Sequence, residues 1–126
     1  MNKARPVNLN LLSISFPVTA VASILHRVCA VILWFGWGFV VASMLFAIRT
    51  EENYGVLVEA LNSQFIVQFV AWGLATATGY YVMATIKHLI QDFGFCESFA
   101  GGRIISWVAI ILGVIVSVFA GALIWA

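Results

Sequence analysis

Residues 22–48 read ASILHRVCAVILWFGWGFVVASMLFAI, and this stretch decides the fold. Within it, residues 28–48 are 21 positions of which only Ser43 is clearly polar. An α-helix needs about 20 apolar residues to cross the ~30 Å hydrocarbon core of a bilayer. Two further runs meet that length, within 65–88 (FIVQFVAWGLATATGYYVMATIKH) and 104–125 (IISWVAIILGVIVSVFAGALIW). The chain therefore reads as one all-α transmembrane domain over residues 1–126, with three spans at about 22–48, 65–88 and 104–125.

Composition agrees, because 63% hydrophobic and 9% charged residues lie far outside the range of soluble domains. A formal net charge of +1 offers nothing to nucleic acid, so membrane lipid and other membrane proteins are the expected surroundings. The distribution of charge carries more than its sum. Lys3, Arg5, Arg27, Lys87 and Arg103 fall near the N-terminus or in the second loop, whereas the first loop sets Arg49 against Glu51, Glu52 and Glu59. The positive-inside rule then places the N-terminus in the cytoplasm and Ala126 across the membrane.

Lys3 and Arg5 ahead of Ala20-Val21-Ala22 imitate a cleavable signal peptide. Ser13, Ser15 and Pro17 interrupt the apolar core that such a peptide requires, so the segment is read as retained. Pro6 and Pro17 also prevent one continuous helix over residues 1–17, which are expected to lie along the cytoplasmic membrane surface. In the first loop, residues 56–61 suit a short interfacial helix. Cys29 within the first span and Cys96 in the second loop are expected to stay reduced, and there is no Cys-x-x-Cys-His haem-attachment pattern. Trp125 and Trp107 suit interfacial anchoring. Gly113, Ser117 and Gly121, each four apart, mark a face on which another helix packs closely.

Two groups of side chains can carry chemistry. Ser23, His26 and Arg27 occur at spacings of three and four, which place them on one helical face at the mouth of the first span. A lone arginine there would merely reach lipid phosphates. With a hydroxyl and an imidazole beside it, the cluster can bind a phosphate, a carboxylate or a quinone carbonyl, and His26 can exchange a proton near neutral pH. The second group is Tyr80, Tyr81, Lys87, His88 and Asp92 at the end of the second span. Tyr81 lies ~9 Å deeper in the membrane than Lys87 at the usual helical rise. His26 is expected near the helix mouth, shallower than Tyr81.

Several short motifs run through these positions: Arg5-Pro6-Val7-Asn8-Leu9, Phe16-Pro17, Ser23-Ile24-Leu25-His26-Arg27, and His88-Leu89-Ile90-Gln91-Asp92-Phe93-Gly94. Together, over nearly the whole chain, they resemble the cytochrome b membrane-anchor subunit of bacterial and mitochondrial succinate dehydrogenase. The resemblance implies the larger of two small anchors in a four-subunit complex of the bacterial inner membrane. Its partners would be a flavoprotein that oxidises succinate, an iron–sulfur subunit and the second anchor. It further implies that Ser23 and Arg27 help bind ubiquinone. His26, Arg27, His88 and Asp92 become candidates for contacts with haem propionates or for proton relay. On this view the chain is not an enzyme by itself.

One position departs from the pattern. The resemblance implies a haem-ligating histidine seven residues before His88, and Tyr81 stands there, while Thr85 and Lys87 replace a small residue and an arginine. Haem b is thus expected from the family, with three arrangements open: Tyr81 as a phenolate ligand opposite the partner's histidine, haem held in another way, or no haem. Three other functions stand as alternatives. A fumarate reductase anchor would run the same chemistry in reverse, and a purely structural anchor would lack it. A small transporter would normally need an intramembrane carboxylate, and no Asp or Glu falls within the apolar runs.

Overall fold

The computed structural model describes residues 9–126, and residues 1–8, which include Lys3, Arg5 and most of the Arg5–Leu9 motif, lie outside it. A 3₁₀ turn at Leu11–Ser13 precedes four helices: α1 (Val18–Ala47), α2 (Glu51–Ser63), α3 (Phe65–Asp92) and α4 (Phe99–Trp125). Among the described residues there is no strand. α1, α3 and α4 are long and apolar enough to cross a membrane. This is the expected three-span architecture, and it satisfies backbone hydrogen bonds within each segment, as a bilayer demands.

The helix ends follow from local chemistry. Pro17, at φ −66° and ψ 155°, starts α1, so the helix begins before the fully apolar run. Thr50 caps α2 by accepting from the Asn53 amide at 3.1 Å, and Glu51 and Glu52 in the first turn complement the helix dipole. The helix expected over residues 56–61 is thus part of a longer one of 13 residues. Asn53 Nδ2 donates to the Phe46 carbonyl at 3.1 Å and ties α2 back to the end of α1. After α3, Gly94 at φ +87° turns the chain, and Ser98 caps α4 by accepting from Gly101 N at 3.1 Å. Gly101 is required there, because a Cβ would come within 2.8 Å of Cys96 Cα.

Small residues let the helices meet. Ala77, Tyr80, Ala84 and Lys87 form the buried stripe of α3, and Gly102, Ser106, Ala109 and Gly113 that of α4. The Gly113–Ser117–Gly121 face packs as its spacing suggests. Gly113 lies against the Tyr80 ring, Gly121 lies against Trp72, and Ser117 accepts from Trp72 Nε1 through its carbonyl (2.9 Å) and from Thr76 through its hydroxyl (3.0 Å). α1 joins α3 at Gly36, where a Cβ would stand 2.5 Å from Leu74 Cδ1, and through Tyr80, whose hydroxyl donates to the Ala22 carbonyl at 2.8 Å. The opposite side of α1 is open, with Trp34 84% and Phe35 78% exposed.

Candidate functional site

The first turns of α1, the last turns of α3 and the first turn of α4 share one end of the bundle. That end carries Arg27, Lys87, His88, Asp92 and Arg103, whereas Glu51, Glu52 and Glu59 sit at the other, on α2. The spans thus concentrate the candidate groups on one face of the membrane region.

The three residues of the α1 cluster do not converge as one patch. His26 turns into the α1–α3 interface, Ser23 is half-buried, and Arg27 is exposed. Among the described residues neither Ser23 nor Arg27 makes a hydrogen bond or ion pair, so their donors are available to a ligand or a neighbouring subunit. The spacing of four keeps Ser23 and Arg27 on adjacent turns of the same face. One residue's difference in phase carries His26 inward.

His26 meets α3 at three points. Its ring stacks on Tyr81 with centroids 4.5 Å apart and planes inclined by 23°. Its Nε2 lies 3.2 Å from Thr85 Oγ1, and its ring is 5.3 Å from that of His88 at 46°. The expectation that His26 is shallower than Tyr81 is therefore wrong. α1 starts at Val18, so His26 is already ~12 Å along the helix at 1.5 Å per residue, level with Tyr81.

Thr85 has a part that the sequence did not suggest. Its hydroxyl donates to the Tyr81 carbonyl at 2.8 Å, which leaves its oxygen to accept from His26 Nε2–H. Tyr81, Thr85 and His88 are four and three residues apart, so helical periodicity already placed them on one face of α3; what was missing was the partner across the interface. Lys87 belongs to the buried stripe of α3, at 5% exposure, and Asp92 is exposed as the last residue of α3. The second group thus divides, with Tyr81 and His88 against His26 of α1, while Tyr80 and Lys87 lie in the buried stripe of α3, Tyr80 reaching both Ala22 of α1 and Gly113 of α4.

Two concavities flank α1. One, of about 350 Å³, is lined by Ala30, Leu33, Trp34, Trp37 and Tyr81 and continues along α1 from His26. The other, of about 670 Å³, lies between α1 and α4 and reaches Phe16, Leu25, Arg103 and Trp107. The larger one touches none of Ser23, His26 or Arg27, so size alone does not mark the site. Among the described residues no three His, Cys, Asp or Glu side chains come together as a metal cluster.

Comparison with known proteins bears on this geometry. Residues 1–120 match the family described as succinate dehydrogenase/fumarate reductase transmembrane subunit. A succinate dehydrogenase cytochrome b556 subunit from Coxiella burnetii (strain RSA 493 / Nine Mile phase I) is 33% identical over 125 residues, which cover 99% of this chain and 100% of that protein. Three helices long and apolar enough to cross a membrane accord with a transmembrane subunit, and the chain belongs to the succinate dehydrogenase/fumarate reductase transmembrane subunit family.

Proposed function

We propose that this chain anchors a succinate:ubiquinone oxidoreductase in the bacterial inner membrane and contributes Ser23 and Arg27 to its ubiquinone-reducing site. The observation that carries the reading is the Ser23–Arg27 pair, one helical turn apart, unpartnered among the described residues, at the cation-rich end of the bundle. The excess of Arg and Lys at that end supports its being cytoplasmic, with α2 and Ala126 on the periplasmic side. A flavoprotein and an iron–sulfur subunit would dock on the cytoplasmic end, and a second small anchor would cover the open face of α1.

In this reading ubiquinone takes up two electrons from the iron–sulfur partner and two protons from the cytoplasm to become ubiquinol. Ser23 donates a hydrogen bond to one carbonyl oxygen and fixes the ring. Arg27 remains charged and stabilises the negative charge that develops on oxygen as electrons arrive, an effect strengthened where water is excluded. The His26 ring lies beside that of His88, with centroids 5.3 Å apart, and these two imidazoles are the groups through which protons would reach the quinone from the end of α3. Arg27, His88 and Asp92 also supply the polar lining that haem propionates would need. The donors at the level of Tyr81 do not fit an iron-ligand set, so no step is routed through haem.

The test uses the intact complex. Ser23→Ala and Arg27→Leu should each lower succinate:ubiquinone reductase activity at least tenfold, with succinate oxidation by a soluble artificial acceptor unchanged. Wild-type ubiquinone reduction in both variants refutes the site. Loss of assembled complex in place of lost quinone chemistry would make the subunit a structural anchor only.

A further inference from the structure

If the chain is the anchor proposed above, on which this step rests, its haem chemistry turns on which atoms could reach iron at the level of Tyr81. The chain has two histidines, His26 and His88. His26 is at that level, but its Nε2 is committed. The single proton of the Thr85 hydroxyl goes to the Tyr81 carbonyl at 2.8 Å, so Thr85 meets His26 as an acceptor and Nε2 carries the proton. The remaining nitrogen, Nδ1, adjoins the side-chain stem, where a flat macrocycle is crowded. His88 is seven residues nearer the cytoplasmic end than Tyr81, a separation of ~10 Å along the helix.

Tyr81 itself lines the 350 Å³ cleft, and among the described residues nothing hydrogen-bonds its hydroxyl. A neutral phenol is a poor iron ligand. A tyrosine ligand to iron is oriented and tuned by a second-shell donor at its oxygen, and among the described residues none reaches the Tyr81 hydroxyl. Tyr80 is already engaged with the Ala22 carbonyl. Met83, two residues from Tyr81, lies on nearly the opposite side of α3, and Cys29 does not line the cleft.

We infer that the residues of this chain do not fit the haem expected at the level of Tyr81: the Tyr81–His26 stack, held by Thr85, presents no side chain suited to ligate iron. Any protein ligand to iron comes from outside the chain.

The experiment takes the purified four-subunit complex and measures haem content, the ferric spin state by electron paramagnetic resonance, and the carbon monoxide difference spectrum after reduction. The expected result is haem that is substoichiometric, or high-spin and able to bind carbon monoxide. Tyr81→Phe and His26→Asn should leave haem content and spin state as they are in the parent. Tyr81→His should raise haem content, convert the iron to low-spin and abolish carbon monoxide binding.

A parent complex with low-spin haem inert to carbon monoxide overturns the inference, as does loss of haem or a changed ferric spectrum in Tyr81→Phe or His26→Asn. A complex whose haem does not respond to Tyr81→His overturns the assignment of position 81. Ubiquinone reductase activity on the same preparations keeps the two readings apart. An active enzyme with low-spin haem sinks only this inference, whereas a complex that never reduces ubiquinone sinks the proposed function.

Discussion

The hydroxyl of Tyr80 donates to the carbonyl of Ala22 at 2.8 Å across the α1–α3 interface, beside the residue that begins the candidate quinone site. Tyr80 is 7% exposed, and Gly113 of α4 receives the other side of its ring. One side chain thus positions three helices at the end where Ser23 lies. Tyr80→Phe keeps the ring and removes the bond, at about 1 kcal/mol for a net hydrogen bond. We expect the complex to melt a few degrees lower and its KM for ubiquinone to rise, with the rate to a soluble acceptor unchanged. An unaltered KM would show that Tyr80 holds the helices without positioning Ser23.

Glycines on facing and open surfaces should behave differently. A Cβ at Gly113 would meet Tyr80 Cδ2 at 2.7 Å, whereas one at Gly38 finds nothing within 4 Å. Gly113→Leu forces the α3–α4 interface apart, and overpacking of this kind costs roughly 1–3 kcal/mol. Gly38→Ala should leave the bundle as stable as before. Thermal midpoints of the two purified variants check this: equal values would mean that the α3–α4 contact yields freely.

These contacts also explain how much could be read in advance. The three spans were legible because each apolar run matches the bilayer thickness, and the Gly113–Ser117–Gly121 face was legible from spacing on one helix. The depth of His26 was not. Relative depth depends on how two antiparallel helices slide past each other, and that is fixed by pairs such as Gly36–Leu74 and Tyr80–Ala22, which no single-helix periodicity contains. For the same reason the i+4 spacing of Ser23 and Arg27 was informative, while the inward turn of His26 toward Tyr81 and Thr85 became visible only with α3 in place.

Ser117 receives two bonds through different atoms, and this separates their contributions. Ser117→Ala removes the acceptor of Thr76 but leaves the carbonyl that accepts from Trp72. Side-chain hydrogen bonds between membrane helices average about 0.6 kcal/mol. We therefore expect a small drop in thermal midpoint for Ser117→Ala and a larger one for Trp72→Phe. The indole of Trp72 also packs on Phe69 and Trp125, with centroids at 5.5 and 5.9 Å, so its replacement disturbs the whole aromatic cluster at that end. The reverse order of the two midpoints would assign the interface to the Thr76–Ser117 pair.

Orientation can be tested at two exposed positions at opposite ends of the bundle. Cys96 lies exposed in the α3–α4 turn, at the end with Lys87 and Arg103, and Glu52 is exposed in the first turn of α2, where acidic residues dominate. The charge bias predicts that Cys96 faces the cytoplasm and Glu52 the periplasm. A membrane-impermeant maleimide should label Glu52→Cys in intact spheroplasts, in a background with Cys96→Ser. In the parent, Cys96 should react only after the membrane is opened. Labelling of Cys96 in sealed spheroplasts, with Glu52→Cys protected, would invert the topology. It would also put Ser23 and Arg27 on the side away from a cytoplasmic electron donor, and the ubiquinone-site proposal would fall with it.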